Sequence, residues 1–455
     1  MVLRQGAGNY TSLDAFNYFG DNNANQGPKW IQGLRREAIS RFNALGFPTT
    51  RRGNEEWKYT DIGPIAKIPF QPNTSNTPIN LSKNELGLYA LGEADWHRLV
   101  FVDGAFQNHL STSSSVPTNL TILNLAKAIE THESVVQKHL ARYADYSNHA
   151  FTALNTGYLH DGAFVHIHKG ALVEKPIHLI FLTSSQKEDL AYHPRILVLA
   201  GKDSHATLIE SYGSLKNGQI FCNAVSEVVL EPGASLQHYR VQRQSQKAFH
   251  VGTNQVQLGS NSTFTSVTMD LGGKLVRNNL NVLMEGTGSS CMLNGVYLVA
   301  DSQHVDNQVI IDHAAPRTTS REVYKGILND KSRAVFHGSI IVREGAQQAD
   351  SKQENKNLLL SNQAEADTKP AFWIYADDVK CSHGAASGKL DENALFYLRS
   401  RGLPEHEARM LLMRGFVSEV VRTIPNKPFQ SHVEDMVNIK LQGMWSYPLE
   451  GAEKC

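Results

Sequence analysis

The densest run of reactive groups in this 455-residue sequence is Tyr375–Leu390, YADDVKCSHGAASGKL, with Asp377, Asp378, Cys381 and His383 inside it. Cys381 and His383 are two apart, so they share a face if the segment is extended. A thiol and an imidazole on one face make a low-coordination site for a borderline-soft metal, completed by another chain or a small molecule. A buried cysteine beside a surface histidine fits the same residues. His166 and His168 also alternate on an expected strand. With no third ligand near them, a solvated strand face is the simpler account. His304, His313 and His337 are scattered among Asp301, Asp306 and Asp312. That set suits imidazole–carboxylate catalysis or polar turns alike. GAASGK (Gly384–Lys389) fails as a phosphate loop: its glycines stand one residue too close, and Leu390 occupies the Ser/Thr position that reaches magnesium. GTGSSC (Gly286–Cys291) lacks the third glycine of a dinucleotide loop.

The four cysteines, Cys222, Cys291, Cys381 and Cys455, lie far apart without a CxxC pair, which argues against a zinc knuckle, a self-sufficient cluster site or a disulfide framework. Lys plus Arg and Asp plus Glu are 44 each, so the net charge is zero. A nucleic-acid binder needs a basic face, and a polybasic membrane anchor needs the same excess. No apolar run approaches the about 18 residues of a membrane helix, and residues 1–20 carry no apolar signal core. These features predict a soluble, reduced, cytoplasmic protein.

Three regimes must position these groups. Residues 1–155 are mixed, with helical spacing over Trp30–Leu45 and Ile122–Tyr146 and a strand over Arg98–Asp103. Residues 156–385 are strand-like: Ala163–His168, Ile177–Leu182, Ile196–Leu199 and Val225–Leu230 are short, β-branched and bounded by turn formers. Within them a polar turn leads to an apolar residue at Leu208, Leu236, Phe264 and Leu293, steps of 28, 28 and 29, and again at Phe336. Val228 and Leu230 are followed 28 residues on by Val256 and Leu258. A fixed period means stacked units that bury their apolar faces on one another. The predicted fold is therefore mainly β, a solenoid, with a β-sandwich as the competitor. Residues 386–455 return to helical spacing. Asp391 is an expected N-cap, Gly402 a stop, and a helix from Pro404 ends at Pro425. It bears two stripes, Ala408, Leu412, Phe416, Val420 and Met410, Met413, Val417, Val421, Ile424. Either one stripe is left for a partner or a small helical subdomain covers both.

The run DDVKCSHGA followed by LDENALFYLRSRGL strongly resembles the C-terminal signature of the SufB/SufD family of SUF iron–sulfur cluster assembly proteins, in its SufD form. His304–Leu328, Asn355–Pro370 and the NEEWKYTDI of Asn54–Ile62 are similar to the same family. Ala371, Phe372, Trp373 and Ala386 depart from its usual residues. The resemblance implies a right-handed parallel β-helix between helical ends and a non-enzymatic subunit. Its implied partners are SufB, through the β-helix, and the ATPase SufC, through helices at about 390–424; an isolated chain could form a homodimer. It implies no tightly bound cofactor, with transient iron or an Fe–S cluster within the complex and reduced flavin linked to that complex. His383 would be the main iron ligand or proton acceptor and Cys381 auxiliary, at the partner interface. Two other readings remain: a SufB-type cluster scaffold, and a β-helix enzyme acting on polysaccharide.

Overall fold

The computed structural model describes residues 26–51, 54–73, 79, 81–93, 95–112, 116–184 and 189–445. Cys455 and the N-terminal stretch 1–20 lie outside the described residues.

Apart from Leu190–Tyr192, which joins the same sheet as Arg195–Ala200, successive strands from Gly162–Ile167 to Val379–Gly388 alternate between two sheets and pair in parallel with the strand of the next coil. This is a parallel β-solenoid. One sheet ends on Glu365–Ile374, the other on Val379–Gly388. Between the sheets runs a core that contains Leu208, Leu236, Phe264, Leu293 and Phe336. One coil could not bury these residues, but each stacks under the next.

The register refines the repeat. Val228 lies on Val256, Leu230 on Leu258 and Leu236 on Phe264. Phe264, however, pairs with Cys291 rather than Leu293, and Leu236 pairs back to Ala206 rather than Leu208. Phe336 belongs to the opposite sheet. The strict repeat is in the backbone of the corner. Asp203, Gly233, Asn261, Gly288, Arg317 and Gln348 all take positive φ, one per coil. The chain must reverse there at each turn. Left-handed φ is open to Gly at no cost and to Asn and Asp at little. Gly233 has a second reason, since a β-carbon on it would collide with the Asp203 carboxylate of the coil below.

The helix over Lys29–Leu45 forms as its spacing predicts. The segment Ile122–Tyr146 does not become one helix. It opens as strand Leu120–Asn124, antiparallel to Gly162–Ile167, before the short helices Leu125–Thr131 and Glu133–His139. The β-branched start finds a sheet edge to close, and pairing outweighs helical periodicity. Trp57, Phe151, Phe70 and neighbours cover one outer face of the solenoid at Phe221, Phe249 and Leu275.

At the other end Asp391 caps helix Glu392–Ser400, its carboxylate accepting from the Asn393 and Ala394 N–H groups. Helix Glu405–Val421 follows. A third helix, Lys427–Trp445, lies beyond Pro425 within the 386–455 region of helical spacing, and buries Phe429, Val433, Val437, Leu441 and Met444. The two stripes of Glu405–Val421 are not divided between self and partner. Ala408 is buried; Met413, Val417, Val420, Val421 and Ile424 are buried, and Met410, Leu412 and Phe416 half-buried, against the third helix and the outer sheet face at Val267, Val296 and Leu298. A helix lying between a sheet and another helix needs a wide apolar arc, which explains the double stripe. Lys325 fastens it, its buried ammonium donating to the Phe416 carbonyl at 2.8 Å and to Glu419.

Candidate metal and partner site at the open end of the solenoid

Cys381 and His383 lie on the last strand, in register with Ser351 and Gln353 of the coil beneath. Those two are fully buried. Cys381 and His383 therefore occupy inward positions, sharing a face as their spacing predicts, but no coil follows to cover them. Cys381 packs half-buried on the solenoid core. Burial raises its thiol pKa, with only a backbone hydrogen bond from Ser351 opposing, so the sulfur stands as a thiol. His383 is exposed, its ring centroid 4.4 Å from that of Phe372. A cleft of about 360 Å³ opens beside it, lined by Gln353, Asn355, Ser382 and His383 and by Lys352, Glu354 and Lys356.

Asp377 and Asp378 are not brought to this pair. Asp378 is held in the preceding turn by backbone contacts with Gln347 and Gln348. Among the described residues no group of three His, Cys, Asp or Glu side chains is placed to hold a metal. The pair offers one sulfur and one imidazole, and further ligands must come from elsewhere. Cys222 and Cys291 are buried, and burial pushes the Cys222 thiol up to about 12.

The remaining sequence candidates separate. The His166 and His168 rings are 4.4 Å apart at the other end of the solenoid, with Thr121 at 3.2 Å from His168 Nε2. His304 and Asp306 meet Thr60, whose Oγ1 lies 2.9 Å from His304 Nε2 and donates to Asp306 at 2.5 Å. Arg277 bonds Asp306 at 2.5 Å and stacks on Trp57. This buried network seats the Asn54–Ile62 segment on the solenoid. His313 is elsewhere, buried between Thr318 at 2.7 Å and Ser320 at 2.9 Å. Asp312 pairs with Arg343. Asp306 and Asp312, two of the carboxylates a hydrolytic site could use, are thus engaged in structure. GAASGK forms part of an edge strand and its flank rather than a loop opening a helix.

The end itself is the other element of the site. Among the described residues strands Glu365–Ile374 and Val379–Gly388, ten residues each, pair on one side only. Trp373 on the first of them and Tyr375 just after it are 56% and 63% exposed. Long free parallel edges flanked by exposed aromatics are a template for strand addition by another chain. Further along, Phe396 and Tyr397 stand 74% and 57% exposed on helix Glu392–Ser400, with Leu411 51% exposed on the next helix. Sequence patterning missed these aromatics. Their only signal was two adjacent aromatic residues on a short helix that offers one of them no core to face.

The model of the SUF system FeS cluster assembly SufBD core domain matches residues 181–416, and that of the SufBD protein N-terminal region matches 9–179. The chain belongs to the SufBD family of SUF iron–sulfur cluster assembly proteins and is SufD-like. It is 30% identical over 416 residues to the iron–sulfur cluster assembly protein SufD of Escherichia coli, covering 90% of this chain and 92% of that one. It is 31% identical over 414 residues to an iron–sulfur cluster assembly SufBD family protein of Synechocystis, covering 89% and 90%. It also matches the SufB of Bacillus subtilis, at 24% identity over 91% of this chain and 90% of that one. Among the described residues no helix is long and apolar enough to cross a membrane.

Proposed function

We propose that this chain is the SufD-type, non-enzymatic subunit of a cytoplasmic SUF assembly complex. The observation that carries this reading is the uncapped end of the solenoid, where two free edge strands and His383 share one surface. A SufB solenoid adds its own end strands there, so that the sheets run on from one subunit to the other. SufC docks on the exposed aromatics of Glu392–Ser400 and its neighbour Leu411. The double stripe no longer supplies the reason for docking; the residues left outside it do. Closure of the ATPase displaces these helices, and the stacked coils carry the displacement to the shared end. His383 acts as the local iron ligand or proton acceptor for transient iron or a nascent cluster, with Cys381 auxiliary. No residue is assigned here to reduced flavin.

The SufB-type scaffold reading predicts that the isolated chain holds a reconstituted cluster. Among its described cysteines only Cys381 is not fully buried, which favours the SufD role. Co-expression with SufB and SufC tests the whole proposal: a stable ternary complex is expected. In that complex His383→Ala should lose cluster maturation with assembly intact. Undiminished maturation removes the role given to His383.

A further inference from the structure

One coil below His383 the solenoid interior contains an arrangement that the proposed function does not use. Glu322, Gln353 and His383 occupy one inward row on successive coils of the same sheet. Glu322 and Gln353 are each 1% exposed. Gln353 Nε2 donates to Glu322 Oε2 at 2.8 Å. The second oxygen of each group, Glu322 Oε1 and Gln353 Oε1, is also buried and has no donor among the described residues. Two stranded acceptors on a hydrogen-bonded pair of side chains would cost about 1–3 kcal/mol each. The amide has been given room: a β-carbon at Gly338, on the facing sheet, would collide with it.

A single proton satisfies both acceptors. We infer that Glu322 carries its proton and forms a cyclic acid–amide pair with Gln353, storing a transferable proton one side chain away from the His383 cleft. Oε1–H donates to the Gln353 carbonyl while Gln353 N–H donates to the acid carbonyl. Burial works in the same direction, pushing Glu322 up to about 8 against the lowering effect of the Gln353 bond. The other titratable groups facing Glu322 are the Cys291 thiol from the coil below and Tyr324 on its own strand; burial raises both, so neither brings a charge. On the cleft side Lys352 and Lys356 are paired with Glu354 at 2.8 and 3.0 Å.

The inference rests on the proposed role of His383 only for its purpose, and its test separates the two. Infrared difference spectra of the full chain, wild type minus Glu322→Gln, should show a protonated-carboxyl band at pH 7 that disappears with a midpoint of about 8. A carboxylate band at pH 7 in that difference overturns the pair. Gln353→Leu should shift the same band, and serves if Glu322→Gln does not accumulate; an unmoved band is equally fatal to the pair. In the assembled complex the pH profile of iron loading should flatten between pH 7 and 9 in Glu322→Gln. Identical profiles would sever the acid from the cleft while leaving the His383→Ala result to judge the function.

Discussion

The two ends of the solenoid are built oppositely. At the N-terminal end each sheet closes with a short antiparallel strand: Leu120–Asn124 on one, Ala105–Phe106 on the other. Helices Leu125–Thr131 and Glu133–His139 then bury Phe164, Leu197 and Leu199. Reversing direction ends the parallel ladder, and short edges with helices over them discourage further pairing. At the C-terminal end both sheets stop on full-length strands with open edges. The helices that follow, instead of capping the end, lie along the side of the solenoid. Under the proposed function the protected end is closed to further pairing and the bare end is held for a partner.

The comparison can be broken most directly at the aromatic residues of the open end. Trp373→Ala combined with Tyr375→Ala should weaken association with SufB by about 100-fold or more, which is about 2.8 kcal/mol or above, as for buried aromatic anchors. Titration calorimetry with the monomeric variant checks this, and an unchanged affinity would place the interface elsewhere. The same pair should dissociate any homodimer of the isolated chain.

Acid and alkali should loosen the solenoid through different groups. Burial drops His178 and His193, in the early coils, to about 3, and His313 to about 4. Their folded values lie below the ordinary 6.5, so the folded state takes up fewer protons than the unfolded chain. The stability they confer is complete above about 6.5 and is lost as pH falls towards 3–4. Glu322 has the reverse sign. Its raised folded value means that stability falls as pH rises from about 4.5 to about 8 and then levels off. Hydrogen exchange should therefore open the His178 and His193 coils first at pH 4.5, and the Glu322 coil preferentially at pH 9. Each tenfold displacement is worth about 1.4 kcal/mol, so Glu322→Gln should gain several kcal/mol on the wild type between pH 5 and 9. The denaturant midpoint of each protein across that range is the measurement.

A smaller effect belongs to the helices at the side. Lys325→Ala removes a charged hydrogen bond to Phe416 and an ion pair with a largely exposed Glu419, at about 1–3 kcal/mol. Faster amide exchange confined to Glu405–Val421 is the expected result. Phe396→Ala with Tyr397→Ala should leave stability within about 0.5 kcal/mol, because both face solvent. Pull-down of SufC should nonetheless fall, and a retained SufC would move its docking site off this helix.

The strand regime, the coil period near 28 and the Asp391 cap were legible because they rest on local rules: side-chain alternation, turn chemistry and capping. The register was not. Leu293 looked like the successor of Phe264, yet Cys291 holds that place, because corners of unequal length absorb a residue or two without changing which face points inward. The shared face of Cys381 and His383 followed from their spacing. Their exposure did not, since an inward position is normally buried and only the missing next coil opens it. The His304–Asp306 group read as chemistry or turn with equal ease. Thr60, more than 240 residues away in sequence, decided that it is a seam.

The order of the residues alone determined that this chain winds into coils with helices after them, because burial of alternating side chains and left-handed corners are demands each segment makes locally. Only the folded molecule decided which surfaces remain for others. Whether a stripe, an edge or an imidazole is covered depends on what the distant parts of the chain have already packed against it.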